Sequence, residues 1–325
     1  MQIAGSADSS YSVSSSGTLV WRSGSSQRQV TWLDNQGKPS GTVGLPGIIL
    51  GVSMSPDGRR ATVSRKESDR HNVWILDLER GVSSRLTSGD IDKYFPIWSR
   101  RGDRIFFTAK NGSVGDIYSI GPDGGAEELV FRDPNHDVSI AEDTSPDGRF
   151  LLYSANDPKT GLDIWALPLE GDKKPFPVVQ TAFRDVSASF SPDGRWVAYV
   201  SNESGADQVY VKSFPPTERR WQISSDGGNG PRWRGDGKQL YYLGSGVDRL
   251  GSGRQLMVVD LRLGSSVEAS PPREQFVLER GVMDIRYDPS PNGQRFLTLL
   301  TDIEPSAVPW NVVVNWPATV LRNKP

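Results

Sequence analysis

A four-residue turn, Ser-Pro-Asp-Gly, occurs three times, at Ser55–Gly58, Ser145–Gly148 and Ser191–Gly194. Relaxed copies stand at Ser99-Arg100-Arg101-Gly102, Arg234-Gly235-Asp236-Gly237 and Ser290-Pro291-Asn292-Gly293, with a weaker one at Ser14-Ser15-Ser16-Gly17. The seven glycines fall at 17, 58, 102, 148, 194, 237 and 293, in steps of 41, 44, 46, 46, 43 and 56 residues. The residue types have a shared logic. Proline pre-sets φ, aspartate accepts from the backbone just ahead, and glycine supplies the positive φ that reverses the chain between antiparallel strands. An apolar strand follows each glycine: TLVW, RRATVS, RIFFTA, FLLYSA, WVAYVS, QLYYLG and RFLTLL.

A second element recurs 12 to 18 residues after each turn glycine. It opens on Gln, Asn or Asp and continues as a strand, at Gln29, Asn72, Asp116, Asp163, Gln208, Gln255 and Asn311. No stretch carries a helical period, so the fold class is all-β. Units of about 45 residues with about four strands each are the signature of β-propeller blades. The expectation is one domain over 1–325, a propeller of seven four-stranded blades. Its units are 11–46, 47–94, 95–139, 140–186, 187–229, 230–282 and 283–321. The alternative is six blades, with one terminal unit not forming a blade. The last unit has no obvious fourth strand, so Gln2–Ala4 is expected to close the ring beside Asn311–Trp316, within a closing segment at 1–10.

Composition narrows the function classes. Thirty-seven basic and 39 acidic side chains give a net charge of −2, which supplies no electrostatic drive toward nucleic acid. There is no cysteine, which excludes disulfides and thiolate metal sites. No apolar run approaches the roughly 20 residues of a membrane span. The opening residues have no signal-peptide pattern, and the chain reads as a segment of a longer protein.

Ser-Pro-Asp-Gly-Arg followed by a strand and Asp-Ile-Trp (Asp163–Trp165) resembles the TolB-type repeat, a relative of the WD repeat, over Tyr11 to Leu321. The opening YSVSSSGTLVWRSGSSQRQVTWLDNQGK and the closing RFLTLLTDIEPSAVPWNVVVNWPATV are similar to propellers on the C-terminal side of bacterial serine/threonine kinases of the acidobacterial type. That resemblance implies a sensor placed beyond a membrane helix, outside the cytoplasm. The glycine-rich nucleotide loop and the His-Arg-Asp loop of a kinase do not occur in this sequence.

The chain has two histidines, His71 and His136, and no Gly-x-Ser-x-Gly elbow. Asp133–Asp137 begins like a calcium loop but carries Val138 and Thr144 where such a loop needs glycine and glutamate. No catalytic residue, metal or cofactor is assigned. In a propeller, the inter-blade connections share one channel mouth with the loops between second and third strands. The expected ligand residues there are His71, Tyr94, His136, Asp137, Arg184, Asp185, Arg232, Asp284 and Arg286. Arg184 and Arg286 begin inner strands, and their guanidinium forks suit carboxylate or phosphate. The expected role is a non-catalytic binding or sensor module, monomeric, engaging a protein, peptide or envelope ligand. The alternative is a hydrolase or lyase using carboxylates such as Asp137 and Asp185. Asn72, Asp116, Asp163 and Gln208 are expected to bond backbone.

Overall fold

The computed structural model describes residues 9–13, 18–23, 27–112, 114–157, 159–246, 253, 255–278, 282–301 and 311–314. Every regular element among them is a strand. The turns are built as their chemistry dictates. At all six described copies, from Gly58 to Gly293, the glycine has φ between +69° and +74°. Its N–H donates to the carbonyl of the turn's first residue at 2.7–2.9 Å. At Ser55 the hydroxyl donates to Asp57 at 2.6 Å and accepts from the Arg60 N–H at 2.9 Å. The same pattern recurs at Ser145, Ser191 and Ser290, with Asn292 taking the aspartate position in the last.

Each turn joins the first two strands of an antiparallel sheet. Blade 1 comprises Ile49–Met54, Arg60–Glu67, Arg70–Asp77 and Ser83–Arg85. Blade 2 comprises Asp92–Trp98, Ile105–Asn111, Val114–Ile120 and Glu128–Phe131. Blade 3 is Ser139–Thr144, Phe150–Asp157, Gly161–Pro168 and Phe176–Val179. Blade 4 is Asp185–Phe190, Trp196–Ser201, Gln208–Ser213 and Arg220–Gln222. Blade 5 is Asn229–Trp233, Gln239–Leu243, Gln255–Leu263 and Arg273–Val277. In blade 5 the third strand runs on to form an additional hairpin with Val267–Ala269, which lengthens the step from Gly237 to Gly293.

The ring has six blades, not seven. Blade 6 takes its inner strand from Val282–Met283 and Asp288–Pro289 and its second from Arg295–Thr301. Its third and outer strands come from the other end of the chain, Arg28–Asp34 and Pro39–Gly47. The first and last repeat units are therefore two halves of one blade, which is why counting units overshoots by one. The core gives the same number. It divides into six apolar clusters, each lying between two neighbouring blades around the ring. Side chains alternate along every strand, so Trp196, Ala198 and Val200 pack toward blade 5 while Val197 and Tyr199 pack toward blade 3. A strand buried on both faces favours apolar residues at successive positions, and WVAYVS, apolar at its first five, is buried at all six.

The closing ladder pairs Arg28–Asp34 with Arg295–Thr301 across seven residues in register. Val30, Leu33, Phe296, Leu297 and Leu299 are fully buried along it. The seam expected between Gln2–Ala4 and Asn311–Trp316 is not the closure: residues 2–4 lie outside the described residues, and Asn311–Val314 pairs instead with Thr18–Ser23. Those two strands and Ser9–Val13 form a separate three-stranded sheet.

Leu297→Ala removes a buried side chain from the seam, and we expect a loss of about 2–5 kcal/mol in urea unfolding. A second expectation concerns acid. The Asp57 carboxyl is held below its ordinary value by the Ser55 hydroxyl and then the Arg59 N–H. At Asp147 and Asp193 burial pushes upward, but the serine hydroxyl and the following arginine outweigh it. A carboxyl lowered by folding stabilises the protein above its unfolded value and loses that contribution as pH falls through the folded one. The triple variant with Asn at 57, 147 and 193 should flatten the decline in melting temperature below about pH 4. An unchanged acid limb would count against the turns as its source.

Candidate functional site

Six inner strands line a channel along the ring axis. Counting back four residues from the first turn residue gives one ring layer: Gly51, Phe95, Ala141, Ser187, Gly230 and Arg286. Gly51, Phe95, Ser187 and Gly230 have φ of +51° to +64° and sit where the inner strand shifts register against the second. This bulge re-aims the strand. Arg286 is the one long polar side chain of the layer. A Cβ on Gly51 would stand 3.1 Å from Arg286 Cδ, and one on Gly230 would stand 2.6 Å from the Ile285 carbonyl. Glycines on the two blades beside blade 6 thus leave room for Arg286 to enter the channel. Its guanidinium lies 4.5 Å from the centroid of the Phe95 ring and reaches Glu142 of blade 3, on the opposite side, at 3.5 Å.

Two residues before the turn, a second layer holds Asp143 in blade 3 and Asp288 in blade 6. Asp143 accepts the Phe190 N–H of blade 4 at 2.9 Å and a two-pronged contact from Arg100 of blade 2 at 3.0 and 2.7 Å. Asp288 accepts the Met54 N–H of blade 1 at 2.6 Å and faces Arg232 of blade 5 at 3.7 Å. The two carboxylates do the same work half a turn apart, each tying its blade to both neighbours. Burial pushes the Asp288 carboxyl up, opposed chiefly by Arg232.

The Arg286–Glu142 contact divides the channel. Both residues line a cavity of about 340 Å³ toward the turns and one of about 890 Å³ toward the connections. The larger chamber is walled by blades 3 to 6, with Arg184, Asp207 and Asp226 around Glu142 and Arg286. A cleft of about 1070 Å³ lies off the axis, between the turns of blades 4 and 5 and the additional hairpin. Two of its three lining arginines, Arg195 and Arg234, are bonded to turn aspartates, and the third is Arg262.

The residues selected from sequence fall into distinct settings. Arg184 and Arg286 line the connection-side chamber, and Arg184 is paired with Asp207. Arg232 lines the turn-side cavity instead, donating to the Tyr287 carbonyl at 3.1 Å. Asp284 is buried in an ion pair with Arg28 and accepts the Arg286 N–H at 2.8 Å. Asp185 is fully buried and accepts from the Thr181 hydroxyl at 2.7 Å, and burial raises its carboxyl. Asp137 is exposed. His71 is buried against Tyr94, with burial holding its imidazole below the ordinary value. The Ser64 hydroxyl donates to the Lys93 carbonyl at 2.7 Å, so His71 Nδ1–H is the donor in the 3.1 Å contact with that serine. His136 is buried between Asp133 at 2.8 Å and Asp157 at 3.6 Å, a separate set of partners from those of His71.

Asn72, Asp116, Asp163 and Gln208 are all buried and brace the third strand against a residue one or two positions past the outer strand. Their partners are Thr87, Arg132, Thr181 and Ser224. Glu142, Phe95 and Asp207 were not selected from sequence. The available signal was the Glu142-Asp143 pair, two acids inside an inner strand whose Ser139, Ala141 and Thr144 are buried.

No family model matches the chain. An uncharacterized protein of Agrobacterium fabrum is 27% identical over 208 residues, covering 58% of this chain and 68% of that protein. The Tol-Pal system protein TolB of Anaeromyxobacter dehalogenans is 28% identical over 92 residues, so the match spans 28% of this chain and 21% of TolB. In structure, the protein assigned as TolB from Agrobacterium tumefaciens superposes with a TM-score of 0.65 at 16% identity, over 84% of this chain and 98% of that one. TolB of Acinetobacter baumannii gives 0.56 at 16% identity, over 87% and 63%. The fold is a TolB-like β-propeller. The same ring is shared with oligogalacturonate lyase of Vibrio parahaemolyticus, at 0.52 and 13% identity over 88% and 75%, and with a chain of the nidogen/laminin complex, at 0.54 and 13% over 72% and 89%.

Asp143→Ala strands the Phe190 N–H and the Arg100 guanidinium together. Hydrogen bonds to a charged group set the scale, and the expected loss is about 2–3 kcal/mol in urea unfolding. Asp137→Ala, at an exposed position, should leave the midpoint unchanged.

Proposed function

We propose that this chain is a binding or sensing propeller that seats a protein, peptide or envelope ligand at its connection-side mouth. The observation that carries the reading is the chamber itself. It has about 890 Å³, at the upper end of the usual range of roughly 300–1,000 Å³ for ligand pockets. Charged groups converge on it from four blades, and Arg286 and Glu142 floor it. Binding residues concentrate on loops that a rigid scaffold positions. The nidogen/laminin complex shows a propeller of this shape in a protein assembly. The likeness to kinase-borne propellers supports placing the chain as the extracytoplasmic part of a larger bacterial signalling protein. No described helix is long and apolar enough to cross a membrane.

The alternative, hydrolysis or elimination by a carboxylate pair, draws on the lyase neighbour. Acid–base chemistry needs two carboxyls within reach of one substrate. Asp185 is sealed beneath the surface and Asp137 stands out in solvent, which favours binding over that pairing.

The test passes tryptic peptides from a bacterial envelope fraction over the immobilised chain. Retention should fall about tenfold in Arg184→Glu, as expected when a rim cation is replaced by an anion. Turnover of a glycan or lactone panel that disappears in Asp137→Asn would overturn the reading, as would equal retention by Arg184→Glu.

A further inference from the structure

Resting on that reading, we propose that Arg286 is a carboxylate-receiving group at the floor of the chamber, and that Glu142 occupies it until a ligand carboxylate takes its place. Three observations converge. Arg286 is largely buried, its side chain 13% exposed, yet it borders both channel cavities. Among the described residues its guanidinium has one protein acceptor, Glu142, at 3.5 Å. Charge-assisted contacts usually close to about 2.7–2.9 Å, and a guanidinium offers five N–H donors, so most of its capacity is uncommitted. Gly51 leaves space for the Arg286 side chain and the ring of Phe95 stacks beneath its guanidinium, so an incoming group meets a plane already set.

Glu142 has its own second anchor. Its Oε1 accepts from the Ser154 hydroxyl at 2.9 Å, so it keeps one partner when Arg286 turns to a ligand. Charge selects the class of anion. The chamber already holds Glu142, Asp207 and Asp226 against Arg184 and Arg286. A dianionic phosphate would face three acids, whereas a single carboxylate replaces Glu142 at the guanidinium like for like. The carboxylate belongs to a peptide, either as its chain terminus or as an Asp or Glu side chain. Since the Arg286–Glu142 contact crosses the channel, the segment enters from the connection side.

Three pools of N-acetylated heptapeptides distinguish the sources: free C-terminus without acidic side chains, amidated with one Asp, and amidated without any acid. Each passes over the immobilised chain, and retained peptides are titrated by calorimetry. One of the two carboxylate pools should be retained above the neutral pool. Arg286→Gln should weaken its binding about tenfold, and Arg286→Lys less, since only arginine presents the two-pronged fork. Glu142→Gln should tighten binding several-fold by removing the resident competitor. Opposite signs separate the effect from misfolding, which would weaken both; if Glu142→Gln does not fold, the Gln-against-Lys comparison at 286 still decides. Retention that ignores the carboxylate, or equal affinity in Arg286→Gln, overturns the hook and leaves mouth binding standing. If no peptide pool binds, and the envelope peptides are not retained either, both fall.

Discussion

A ring of blades is closed only if its two ends meet, and here they meet inside one blade. The ladder between Arg28–Asp34 and Arg295–Thr301 joins the N-terminal half of blade 6 to its C-terminal half. Without it, one strand on each side of the seam, Arg28–Asp34 and Arg295–Thr301, would expose unpaired N–H and C=O groups, the hazard of an open sheet edge. The burden is also hydrophobic. Val30, Trp32 and Leu297 form one cluster with blade 1, while Leu33 and Phe296 form another with blade 5. The seam therefore completes two of the six interfaces. A blade split between the termini makes every other interface depend on both ends of the chain being in place.

Electrostatics repeats that logic along the axis. Six blades converge on a channel too narrow for bulk solvent to screen its charges fully, and Asp143 and Asp288 are each matched to a neighbouring N–H and a neighbouring arginine. Removing a charge from such a set leaves its partner unpaired at greater cost than the pair contributes. The arrangement has an approximate two-fold character, blades 3 and 6 supplying acids where blades 1, 2, 4 and 5 supply Ser53, Ile97, Ser189 and Arg232. The layer above breaks that symmetry, with Arg286 in blade 6 opposite Ala141 in blade 3, and Arg286 reaches across to Glu142.

The fold was legible because the turn requires its residues and a doubly buried strand requires apolar ones. Ser191–Gly194 followed by WVAYVS shows both at once. The blade count was not legible from the same signal. TLVW and NVVV have the pattern of blade strands, but they pair with each other in a separate sheet, and nothing in a period-two pattern says which neighbour a strand joins. The candidate site residues separate by their place along the strands. Arg184 stands at the mouth because it immediately precedes the inner strand of blade 4, Arg286 lies deeper in its strand at the chamber floor, and Arg232, two residues before its turn, lines the turn-side cavity with Asp143 and Asp288. Buried Asp185, Asp284, His71 and His136 look the same in sequence as exposed loop residues, and only the packing separates them. Glu142 escaped notice for the converse reason, an acid inside a strand whose neighbours are core.

Ring closure and the candidate site are one structure. Arg28, the first residue of the N-terminal strand in the seam, pairs with Asp284 in the interrupted inner strand of blade 6. Asp284 in turn accepts the Arg286 N–H. Burial drives the Asp284 carboxyl upward and Arg28 opposes it, so the group that fixes the Arg286 backbone has its charge partner near the other terminus. The Asp284 N–H still donates to the Leu299 carbonyl at 3.2 Å, but the inner strand of blade 6 then makes no ladder pairs until Asp288, and that gap is where Arg286 leaves the sheet for the channel. A continuous strand would hold its side chain in the pleat. The interruption frees it, and the Arg28–Asp284 pair replaces the missing ladder contacts as its anchor. The position of the chamber floor is accordingly set by the seam, and a chain whose ends had not joined would lack the group that the chamber is built around.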